Sequence, residues 1–167
     1  MQPEPWLRST HTDIGAVPRA VIHALELAHE DLTTWCGVLT DEELRATPSG
    51  LPSVAFQLRH IAGSLDRLLT YAEGAQLTAA QLEALKEEGA PVPRPQLLEE
   101  LSFALTDGVT RVRNLGTNPA LLEQSRTVGR KNLPSTVGGL LVHVADHTQR
   151  HVGQVITTAK LLRSLCK

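Results

Sequence analysis

Residues 143 to 154 read HVADHTQRHVGQ and set His143, His147 and His151 one helical turn apart on a single face. Side chains four apart on a helix stand about 5 to 6 Å from each other at Cβ, so two such imidazoles can converge on one cation. The spacing alone leaves metal binding and solvated or packing roles open. The company of Leu140, Leu141, Val144, Val152 and Val155 turns part of this face toward a core. There a neutral imidazole needs a partner for its polar nitrogens. A further ligand must come from a facing helix, and His60, in SVAFQLRHIAGSLDRLL, is the best-placed residue for it. Three nitrogen donors leave a coordination position for water or substrate, the pattern of a catalytic zinc site. Nickel and iron accept imidazoles as well, so the donor set does not name the metal. An unbent helix spreads three consecutive turns too far for one ion. His143 is therefore expected beside the centre, as a pocket residue or proton relay, with an extra ligand as the alternative.

Other histidines carry less. His29 lies beside Glu30 and reads as a surface side chain, with a place in the same cavity as the alternative; His23 and His11 offer weaker patterns still. Arg59 and Arg150 are candidates for a substrate carboxylate, against the plainer reading of solvated side chains. Asp146 is the one acid between the last histidines, and it is offset by one residue, about 100° around the helix. Glu26 and Glu30 are alternative bases, read first as exposed. Lys86, Glu87 and Glu88 read as a solvated face. Cys36 and Cys166 suit free thiols, and Cys36 has no identifiable base beside it in sequence to make it a nucleophile. Gly153, inside the last helix, costs up to about 1 kcal/mol relative to alanine and suggests close helix packing, with plain tolerance near a helix surface as the alternative.

The elements that must position these groups are helical. Val21, Ile22, Leu25, Leu32, Trp35 and Leu39 mark a first helix that begins near Pro18 and runs to about residue 39. Ser53 can cap a second, whose stripe is Val54, Phe56, Leu58, Ile61, Leu65, Leu68 and Leu69 and which stops at Gly74. A third spans about Pro95 to Leu115, and the last begins near Pro134 or Ser135 and runs to about Leu165. Between them, Thr40 to Glu43 and the segment from Thr78 read as short helices, with one turn more expected from Ala120 to Gln124. RTVGRKNLPSTV has extended character and could form a brief strand-like loop. Four long apolar stripes can be hidden only against one another, which predicts an all-α four-helix bundle with short helices in the connections. The 167 residues are expected to form a single domain, with an irregular arm over residues 1 to 12.

Composition narrows the partners. The 41% hydrophobic and 20% charged residues, with a formal net charge of −2, give no broad attraction for a polyanion. Arg126, Arg130 and Lys131 are too small a basic group for a nucleic-acid footprint, and 3% aromatic residues provide no base-stacking platform. No apolar run approaches the roughly 20 residues that span a bilayer, and MQPEPWLRST lacks the apolar stretch of a secretory leader. A cytoplasmic protein acting on a small molecule, with no nucleic-acid or membrane partner, is expected.

With His60, LPSTVGGLLVHVADH and HTQRHVGQV in view, the chain resembles the DinB-like superfamily of metal-binding four-helix bundles over nearly its whole length. The resemblance implies a triad of one histidine in the second long helix and two, four apart, in the last. These fall on His60, His147 and His151, with His143 one turn before them. The family's common HHRGQ ending is RHVGQ here, with Arg150 before the ligand and Val152 in place of the usual arginine. The resemblance further implies a homodimer and a metal-dependent transferase or isomerase that uses a low-molecular-weight thiol such as bacillithiol or mycothiol. A metal-dependent hydrolase, and a metal-binding structural or regulatory protein without turnover, remain the alternatives.

Overall fold

A computed structural model describes residues 2–165 of the chain, leaving the Leu165 side chain and the Cys166 thiol outside the described atoms. Four long helices, α1 (Ala16–Cys36), α3 (Val54–Ala72), α5 (Arg94–Gly116) and α6 (Val137–Leu165), form the bundle. Short helices α2 (Asp41–Arg45) and α4 (Ala79–Lys86) lie in the connections. Helix α1 packs against α5 and α6, and α3 packs against the same two, so α3 and α6 are neighbours around the ring. The stripes meet in one core: Ile22, Leu25 and Leu32 from α1, Leu58, Ile61 and Leu69 from α3, Leu97 and Val112 from α5, and Leu141, Val144 and Val155 from α6 are buried. Each such side chain contributes about 1.5 to 3 kcal/mol on leaving water.

Local chemistry sets the boundaries. The Ser53 hydroxyl accepts from Phe56 N and starts α3, and Thr40 with Glu43, then Thr78 with Gln81, form capping boxes that start α2 and α4. The first helix stops at Cys36, three residues short of the expected end, and Leu39 is buried in the link that follows. The last helix starts later than the sequence suggests. Pro134 and Ser135 belong to strand β2 (Leu133–Thr136), which pairs antiparallel with β1 (Ser125–Val128). Thr136 Oγ1 then accepts from Gly139 N at 3.0 Å and caps α6. Gly153 is not a packing glycine: a Cβ placed there meets nothing within 4 Å. No helix among the described residues is long and apolar enough to cross a membrane.

Candidate metal centre

Neighbouring helices α3 and α6 bring His60, His147 and His151 together. One ring nitrogen from each lies within 4.8 Å of the other two. Ring centroids are 5.2 Å apart for His60 and His147, 4.5 Å for His60 and His151, and 4.5 Å for His147 and His151. Two of the three rings are hydrogen-bonded by neighbours that carry no metal-ligand signature in the sequence. His60 Nδ1 donates to Glu88 Oε2 at 2.7 Å, and His151 Nδ1 donates to Gln57 Oε1 at 2.6 Å. Both rings are thereby left with Nε2 as the nitrogen bearing a free lone pair. Ser64 Oγ lies 3.4 Å from His60 Nε2, and the Phe56 ring stacks on the other face of His60.

Electrostatics favour neutral rings. Burial, with the adjacent His151 and His60, pushes His147 down to about 4. Burial and His60 likewise lower His151. Neutral imidazole is the form that binds a cation. His147 Nδ1 is buried with no hydrogen-bond partner in the protein. Such a group costs about 1 to 3 kcal/mol, and a cation bound through that nitrogen would relieve it. The three histidines thus suit a divalent ion in donor type, His147 and His151 in protonation as well, and His147 in unmet bonding capacity.

The surrounding residues sort by distance. The His143 ring centroid is 5.5 Å from that of His147, but its side chain is 49% exposed and it is not one of the converging donors. It stands at the rim, with Nδ1 4.0 Å from Asp146 Oδ2. Arg150 is held by Asp146 at 2.6 Å. Arg59 Nη1 donates to the carbonyls of Glu87 and Ala90 and so fastens the loop after α4. Glu30 is paired with Arg8, and His29 is exposed. The Cys36 thiol is buried and pushed up to about 12 by desolvation, so it is no nucleophile.

Two expectations are corrected. Glu88, read as part of a solvated acidic face, is only 7% exposed and is the partner of His60. His23 and His11, read as the least informative histidines, come together with Glu26 in a second group whose donor atoms lie within 4.8 Å. The two groups differ in an instructive way. His11 Nε2 donates to Glu26 at 2.7 Å, His11 Nδ1 accepts from Arg113 at 2.6 Å, and His23 Nε2 meets Thr10 Oγ1 at 3.0 Å. Both His11 nitrogens, His23 Nε2 and Glu26 Oε1 thus have protein partners, and the guanidinium beside His11 opposes a cation. This group ties residues 10–13 to α1 and α5.

Residues 24–155 match the DinB superfamily. A solved structure described as the conserved protein of locus from Enterococcus faecalis is similar in fold, with a TM-score of 0.64 and 22% identity. That similarity covers 89% of this chain and 98% of that one. No curated protein matches. The bundle, the facing histidines of α3 and α6 and the extent of the match lead to one assignment: the chain belongs to the DinB superfamily.

Proposed function

We propose that the protein is a metal-dependent enzyme that transfers a low-molecular-weight thiol to a small electrophile, with His60, His147 and His151 as the ligands of a zinc, nickel or iron ion. The observation that carries this reading is the convergence of three imidazoles, of which His147 and His151 are held toward the neutral form, from two adjacent helices. When bound, the ion supplies the Lewis-acid charge that favours the thiolate form of an incoming thiol near neutral pH.

The chain's own residues do the rest. Glu88 and Gln57 orient two of the three rings through their Nδ1 hydrogens. Half-exposed His143, one turn before His147 with its ring 5.5 Å from that ring, would receive the thiol proton and pass it to solvent. Among the described residues the one thiol, Cys36, is buried and pushed up to about 12 by desolvation, which supports an external thiol as the sulfur donor. The nearby acids weigh against water activation. Glu88 is paired with Arg67 and His60, and Asp146 with Arg150, which disfavours either as a general base. The same reading carries a cytosolic setting, where a thiol donor stays reduced.

The test is a titration of cobalt-substituted protein with 2-mercaptoethanol. A near-ultraviolet sulfur-to-cobalt charge-transfer band that saturates, and that is absent in His147→Ala, supports thiol chemistry at this centre. Cobalt bound with no such band would contradict it and leave a metal protein with another role.

A further inference from the structure

Glu88 is out of place by every local rule. It sits in the KEEG segment, where Lys86, Glu87 and Gly89 are exposed, yet it is buried. Burying a carboxylate costs several kcal/mol unless both oxygens find partners. Here Oε2 accepts from His60 Nδ1 at 2.7 Å, and Oε1 lies 2.7 Å from Arg67 Nη1 as an ion pair without hydrogen-bond geometry. The loop that delivers it is fastened on both sides, since Arg59 donates to the carbonyls of Glu87 and Ala90.

Helix α3 is cut to receive this side chain. A Cβ at Gly63 would stand 2.6 Å from Glu88 Oε1 and 2.6 Å from Arg67 Nη1, so any larger residue would displace the pair. Glycine in a helix interior costs about 1 kcal/mol relative to alanine. At Gly63 that cost maintains the opening. Arg59, His60, Gly63 and Arg67 lie at helical spacing and present one face to the loop after α4.

We propose that Glu88 is a positioning residue of the metal centre, seated by Gly63 and Arg67, which fixes the His60 ring with Nε2 toward His147 and His151 and strengthens it as a donor. The proposal rests on the metal-centre reading above. A carboxylate behind a ligating histidine raises ligand basicity and sets its tautomer, and removal of such a partner typically weakens metal binding by roughly 10- to 100-fold. Arg67 balances the charge that Glu88 brings, so the pair tunes the ring without adding net charge to the site.

The experiment is zinc competition against a chromophoric chelator, on the full chain, for wild type, Glu88→Ala, Glu88→Gln and Gly63→Ala. Nitrogen-15 spectra of the histidine rings are recorded in parallel. Glu88→Ala and Gly63→Ala are expected to lose roughly 10- to 100-fold in zinc affinity, and the slowly exchanging Nδ1–H signal of His60 disappears with them. Glu88→Gln keeps an oxygen that can accept this hydrogen, so it should retain the signal and lose less than about tenfold. It also carries the test if Glu88→Ala does not fold: a normal affinity with no His60 Nδ1–H signal in Glu88→Gln would overturn the proposal. Wild type that binds zinc, with folded Glu88→Ala and Gly63→Ala binding it equally well, overturns the positioning role and leaves the metal centre standing. Wild type that binds no zinc, nickel or iron overturns the metal-centre reading itself.

Discussion

Gln57 on α3 and His151 on α6 are joined across the helix interface by a 2.6 Å hydrogen bond from His151 Nδ1 to the Gln57 carbonyl oxygen. Gln57 is only 2% exposed, so the bond is made where water cannot replace it. Gln57→Leu, similar in size, removes this acceptor from the His151 N–H. The expected loss is about 1 to 3 kcal/mol of stability and roughly 10- to 100-fold in zinc affinity. Urea denaturation and chelator competition measure the two separately, and an unchanged affinity would show that His151 does not need this support.

Acid should weaken the metal-free protein in a defined window. His147 is lowered from 6.5 to about 4 by burial and by the rings around it, and His151 is lowered as well. Between these values the unfolded chain binds protons that the folded chain refuses, so stability rises with pH there. The contribution is fully present above about pH 6.5 and is lost as the pH falls toward 4. The urea midpoint of metal-free wild type should drop through this range, and that of His147→Leu should drop less. Equal slopes would mean that His147 titrates normally.

The second histidine group is expected to hold the N-terminal segment and to bind no ion. His11→Ala removes the contacts to Glu26 and Arg113. It should leave metal content unchanged, lower stability by about 1 kcal/mol and speed limited proteolysis between residues 8 and 14. A second ion in wild type that is lost in His11→Ala would reverse this assignment.

Gly153→Ala should stabilise α6. The added Cβ has no neighbour within 4 Å, so the gain is the helix propensity difference, up to about 1 kcal/mol. Thermal unfolding reads it directly. Destabilisation would show that a surface covering Gly153 is part of the native protein.

The legibility of the chain follows which interactions are local. Apolar stripes in four segments could be hidden only against one another, and they specify the bundle before any contact is known. His147 and His151 announce themselves by a four-residue spacing, and His60 by its place in the stripe of a facing helix. Glu88 and Gln57 give no such signal. Glu88 sits in an acidic run that resembles a solvated surface, and only the opening at Gly63 and the charge of Arg67, both distant in sequence, make its burial affordable. Glycine three residues after a candidate ligand was the available clue. The start of α6 shifted because the pairing of Pro134 and Ser135 with β1 is a contact between segments that periodicity does not register.

Metal content tests the centre most directly. Wild type and His147→Ala, purified without an affinity metal and reconstituted with zinc, nickel or iron, are analysed for bound ion per chain. Near one ion per chain in wild type, and little in a folded His147→Ala, is the expected result. A wild-type protein that binds none of the three after reconstitution would contradict the metal centre, leaving His60, His147 and His151 as packing residues of the α3–α6 interface.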